Sequence, residues 1–128
     1  VLETPAGEID VRQPFRPVQF AGETPIVSRL EAGPVEVVNL IGDRSRVSID
    51  LCCLTTGASK SCPAGVHIVY AAASACEVVI NGDACGLAID HGMHVEAGER
   101  FTVTNRLGTA IVASILHTER TLTRPFTT

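Results

Sequence analysis

Four histidines, His67, His91, His94 and His117, are the side chains of this 128-residue chain best suited to hold a metal or move a proton. The only local cluster is His91-Gly92-Met93-His94-Val95-Glu96. In an extended chain residues three apart point to opposite faces. His91 and His94 would therefore share a metal only if Gly92 bends the strand, whereas His94 and Glu96 share a face. With His67 or His117 as a third ligand, His94 and Glu96 would form a mononuclear Zn²⁺, Fe²⁺ or Mn²⁺ site. The spacing favours the plainer reading, surface histidines on a turn, so the expectation is no cofactor and no metal, with His94, Glu96 and His67 as the reserve candidates. Cys62 follows Lys60 by two residues and precedes His67 by five, a pattern that could make a reactive thiolate. No third group orients the pair, and an incidental loop cysteine is the default. Ser45, Ser59 and Ser61 sit in no Gly-x-Ser-x-Gly elbow. Asn39, Arg44 and Arg46 form a different kind of set, an amide and two guanidinium groups able to grip a carboxylate. Their competing reading is a turn held by Asn39 and flanked by solvated arginines.

The composition narrows what such groups could serve. With 45% apolar and 19% charged residues the chain is globular, and one domain of this length buries a core unaided. A net charge of −4 offers no basic stripe for nucleic acid. No apolar run approaches the roughly 20 residues that span a bilayer. The first ten residues lack the regions of a signal peptide, and the absence of an initiator Met suggests that something upstream has been removed. Five cysteines, an odd number with no Cys-x-x-Cys pair, read as reduced core residues of a cytoplasmic protein.

The elements that must position these groups are strands. Period-two alternation dominates, and no helical period lasts three turns. Strands are expected at residues 9–13, 18–20, 25–31, 35–41, 46–54, 66–73, 76–80, 84–89, 91–95, 100–105 and 109–118. In residues 46–54, Val47, Ile49, Leu51 and Cys53 make an unbroken apolar face expected on the core. Residues 55–64 read as the longest loop. Asn81-Gly82 is a type I′ hairpin signal. The pattern predicts a single all-β domain over residues 1–118, an antiparallel barrel or sandwich, with a loosely held tail at 119–128.

The segment Phe20-Ala21-Gly22-Glu23, Pro25-Ile26-Val27, Leu30, Gly33-Pro34-Val35, Asn39-Leu40-Ile41 and Arg44 resembles the C-terminal half of the HutD/Ves family. These are cupin-like proteins with two β-barrel halves, associated with bacterial histidine utilisation. Residues 78–116 are similar to the end of a cupin barrel of jelly-roll type. The family's Trp-Lys-Asn-Gly-Gly-Gly segment and first barrel half are not in this sequence, and Asp43 stands where the family usually has a basic residue.

The resemblance implies a non-enzymatic binding protein for a small acidic metabolite, regulatory in histidine utilisation, with Asn39, Arg44 and Arg29 at the ligand. It also implies a homodimer or higher assembly, because one barrel half would need a partner; a fragment of a two-barrel protein is the other explanation. Two alternatives stand beside it: a metal-dependent cupin enzyme using His94 and Glu96, and a structural half-barrel that assembles with itself.

Overall fold

The computed structural model describes residues 1–10, 15–21, 23–25, 27–28 and 39–117. The chain divides into two compact units, Val1–Ile41 and Gly42–Thr128. In the first, β1 (Leu2–Thr4) pairs antiparallel with β2 (Gly7–Ile9) on one side and with β3 (Val27–Ser28) on the other. The Thr4 hydroxyl donates to the Gly7 carbonyl at 2.7 Å and closes the β1–β2 hairpin. The strand expected at 9–13 ends instead at Ile9, and residues 11–13 lie outside the described set. Residues 18–20 and 39–41 carry no regular structure, while Arg29 and the rest of 29–38 lie outside the described residues, as does the tail from 118.

The described residues of the second unit form eight strands: β4 (Val47–Leu54), β5 (Ser59–Cys62), β6 (Gly65–Ala71), β7 (Cys76–Ile80), β8 (Asp83–Leu87), β9 (Gly92–Ala97), β10 (Phe101–Leu107) and β11 (Ala110–His117). They form two antiparallel four-stranded sheets, ordered β4-β11-β6-β9 and β5-β10-β7-β8. The chain passes from one sheet to the other at nearly every connection, which is the double-sheet jelly-roll arrangement. No helix occurs among the described residues. Successive strands alternate in direction, so the connections gather at two ends. One end, here the near end, carries the turn before β4 and the β5–β6, β7–β8 and β9–β10 connections. The far end carries the others.

Between the sheets lie Val69, Ala71, Val78, Val103, Ala110 and Val112, all fully buried, with Phe101, Leu54, Cys62 and Cys76. With aromatics at only 4% and no Trp, the core is made of small branched side chains, each stabilising by about 1.5–3 kcal/mol when buried. β-branched residues suit this because they pack well on a pleated surface.

Two expectations change. Residues 55–64 are not one long loop. Ser59–Cys62 is a strand paired with β10, Cys62 against Phe101 and Ser59 against Thr104. Its small polar residues hid a strand whose outer face is wet. The core face of β4 is also the reverse of the one expected. Cys52 and Leu54 sit opposite Val112 and Ala110 and face the core, together with Asp50. The apolar row Val47, Ile49, Leu51 and Cys53 lies on the outer face with Ile111 and Ile68. Alternation identifies an apolar face but does not say which side the second sheet takes. That outer face is itself partly covered: Ile111 is buried, and a Cβ on Gly42 would meet Ile49 Cγ2 at 2.7 Å.

Two turns depend on backbone conformations that side chains resist. Asn81 (φ 51°) and Gly82 (φ 82°) make the expected two-residue hairpin between Ile80 and Asp83. Gly108 has φ 77°, and a Cβ there would lie 2.3 Å from the Ala75 carbonyl oxygen, so only glycine fits.

Candidate functional site

His67 lies on the inner face of β6 and is fully buried. Its Nε2 lies 2.9 Å from the Pro63 carbonyl, which can only accept, so Nε2 carries the proton. Nδ1 is therefore the acceptor for the Ser114 hydroxyl, 2.8 Å away. The ring packs edge-on against Phe101, centroids 5.0 Å apart at 81°. Both nitrogens are thus committed to structure, which ties the β5–β6 connection to the middle of a sheet.

This overturns His67 as a partner for His94 and Glu96. His67 pairs across the ladder with Val95, and His94 pairs with Ile68, so the two histidines occupy opposite faces of one sheet. His94 Nε2 and Glu96 Oε1 do share the outer face, 3.8 Å apart and well exposed, a contact of little stabilising weight. His91 is in the turn before β9 at the far end, its N–H donating to the Ala88 carbonyl at 3.0 Å. His117 ends β11, its backbone paired with Val47, and its side chain lies outside the described residues. No group of three or more metal-ligating side chains comes together among the described residues.

The thiols are arranged for packing. Burial raises the pKa of Cys62, and the nearby Lys60 cation offsets this only in part. Burial likewise raises Cys53 and Cys76. Lys60 extends from the inner face of β5 to an ion pair with Asp50 on the inner face of β4. That contact joins the edge strands of the two sheets along one side of the sandwich.

The near end holds Arg44, Arg46 and Arg100. Asp43 closes the turn into β4: its carbonyl accepts from the N–H of Arg46 and of Val47, both at 2.9 Å. Its Oδ1 accepts from the Ser45 hydroxyl at 2.7 Å and from the Ser45 N–H at 3.0 Å. These bonds, with Arg46 and Arg44 nearby, hold its carboxyl below the usual range. The turn is thus held by Asp43, a role the sequence had offered to Asn39. Arg44 lies in this turn, in the second unit; Asn39 is exposed and belongs to the first. Arg100, between β9 and β10 at the same near end, donates from Nη1 to the Ser61 hydroxyl at 3.0 Å. Sequence reading passed over Arg100; its only signal was a cation directly after the Gly98-Glu99 turn.

At the far end, the fully buried Asn105 donates from Nδ2 to the carbonyls of Leu54 (2.8 Å) and Gly108 (2.7 Å). Its backbone bonds Gly57 and Ala58, and its Oδ1 is buried without a partner among the described residues. Along the side opposite Lys60 and Asp50, the inner-facing residues of β8 and β9 are only half-buried: Cys85, Leu87, Met93, Val95 and Ala97.

Strand order and inner-face composition define a cupin-like antiparallel sandwich whose interior is filled by small apolar side chains and one saturated histidine. The HutD family matches residues 1–112, and the chain belongs to that family. No curated protein matches it. Among solved structures it is similar to the EutQ protein of Clostridium difficile, at 9% identity and a TM-score of 0.41, with 57% of each chain covered. It is also similar to a Cupin 2 conserved barrel domain protein from Salinispora arenicola CNS-205, at 16% identity and a TM-score of 0.43, over 76% of this chain and 96% of that one. The chain thus covers 57% of the EutQ protein's length. No helix long and apolar enough to cross a membrane occurs among the described residues.

Proposed function

We propose that this HutD-family chain is a non-enzymatic, cytoplasmic binding protein for a small carboxylate metabolite, with a regulatory place in histidine utilisation. The observation that carries the reading is Arg100. Its guanidinium sits at the near end of the sandwich, bonded to the neutral Ser61 hydroxyl rather than to a carboxylate. A ligand carboxylate can be gripped there by two parallel N–H bonds. Arg44 in the turn at the same end joins it. Asn39 and Arg29 remain ligand groups on the strength of the family resemblance. The saturated His67 and the raised thiols favour binding over acid–base or nucleophilic chemistry.

The test is thermal unfolding against a panel of small dicarboxylates, including formylated and imino glutamates. A ligand that binds only the native state raises the midpoint with concentration. The reading expects a saturable rise for at least one acid that is lost in Arg100→Met. No rise with any member, or an equal rise in Arg100→Met, would contradict it.

Self-association is a second, compatible element of the proposal. The outer face of the β4-β11-β6-β9 sheet carries the half-buried Ile49, Leu51 and Ile115 and the 39% exposed Ile68. Apolar faces of this kind are used for protein contact. Light scattering is expected to give a dimer or larger particle at micromolar concentration, and a strict monomer would remove this element.

A further inference from the structure

The β7–β8 hairpin carries chemistry of its own. Its two loop residues are Asn81 and Gly82, both exposed and both with positive φ. A Cβ built on Gly82 would meet nothing within 4 Å. Asn81 and Gly82 are thus adjacent and exposed, with no side chain on Gly82 to hinder approach of its nitrogen to the Asn81 amide. The ladder pairs Ile80 with Asp83 and leaves both loop residues outside it.

We propose that Asn81 is a site of spontaneous covalent modification, deamidation through a cyclic imide. The Gly82 nitrogen loses its proton to hydroxide and attacks Asn81 Cγ. A bond forms between that nitrogen and Cγ, the bond from Cγ to the side-chain nitrogen breaks, and the departing nitrogen takes a proton from water and leaves as ammonia, regenerating hydroxide. Water then opens the five-membered imide at either carbonyl. Opening at Cγ returns an ordinary aspartyl residue; opening at the α-carbonyl gives an isoaspartyl residue, whose main chain runs through Cγ.

The other two asparagines are unsuited. Asn39 precedes Leu40, whose side chain hinders the attacking nitrogen. Asn105 is fully buried, and Nδ2 of its amide is held by two carbonyls. No Asp-Gly pair occurs in the chain, so isoaspartyl has no second local source of this kind. The hairpin also has the freedom the reaction needs. Among the described residues β8 is an edge strand held by β7 alone, and edge hairpins open locally at low cost. An isoaspartyl residue adds a main-chain atom that a two-residue type I′ loop cannot absorb in register, so it loosens the Ile80–Asp83 pairing.

The test incubates the folded chain at neutral and mildly alkaline pH and maps its peptides by mass spectrometry, with enzymatic methylation to count isoaspartyl groups. The expected result is loss of the amide at residue 81 alone, faster at the higher pH, with isoaspartyl product. Asn81→Gln should abolish the methylation signal. In the modified fraction, amide exchange in β8 should quicken. The same chain unfolded in urea supplies the reference for the reaction at this position. Retention of the amide in the folded chain while the unfolded chain reacts, or loss at Asn39 at an equal rate, would overturn the proposal.

Discussion

The two long sides of the sandwich are built differently. On one side β4 and β5 approach each other, Leu54 and Cys62 are buried, and the Lys60–Asp50 ion pair bridges the sheets. On the other side β8 and β9 leave their inner residues half-exposed, from Cys85 and Leu87 to Met93 and Val95. Both sides are edges of the same two sheets, and both carry small apolar residues inward. The difference is the polar pair: a charge from each sheet holds one side shut, and no equivalent pair crosses the other side among the described residues. One side is thus closed by an ion pair, and the other keeps its inner residues half-exposed.

The sharpest way to break this contrast is to remove the peg at the closed core's far end. Asn105→Ala should cost about 2–4 kcal/mol, because it empties a fully buried position and removes the Nδ2 bonds to the Leu54 and Gly108 carbonyls. Denaturant unfolding measures it; a cost near zero would mean these bonds hold nothing. A paired comparison comes next. Val78→Ala, at a fully buried position, should cost roughly 2–3 kcal/mol. Val95→Ala on the half-buried side should cost about 1 kcal/mol or less. Equal costs would mean that the β8–β9 side is as closed as the core.

Lys60→Met tests the closing pair itself. Asp50 keeps about half its side-chain exposure, so the loss should be only about 0–1 kcal/mol and should shrink with added salt. Faster amide exchange in β4 and β5, but not in β8 and β9, is the accompanying sign. The smallest effect is at Asp43. Its carboxyl is held below the ordinary carboxylate range, so its contribution is present above that range and is lost as pH falls through the lowered value. Acid titration of stability should therefore show a small step below the ordinary carboxylate range that Asp43→Asn removes.

Much of this was legible in the sequence. Period-two alternation and the Asn81-Gly82 turn gave the all-β class and the β7–β8 hairpin. The resemblance in residues 20–44 led to the right family. What escaped had physical reasons. β5 is short and its outer residues are serines, so composition made it look like loop. The apolar alternation of β4 faced outward because only pairing with β11 decides which side meets the second sheet. His67 looked like a metal candidate because a buried histidine with two hydrogen bonds and a ligand histidine are the same letter; the Ser114 and Pro63 partners are 47 and 4 residues away. Arg100 was missed because its neighbour Ser61 comes from a strand the sequence had read as loop.

The most direct test of the proposed binding role is an amide chemical-shift titration of the folded chain with the carboxylate that gives the largest thermal shift. The account predicts saturable changes at Arg100, Ser61 and the turn holding Arg44, with the far-end residues Asn105 and Gly108 unmoved. Changes centred on His94 and Glu96, or none at Arg100, would contradict it.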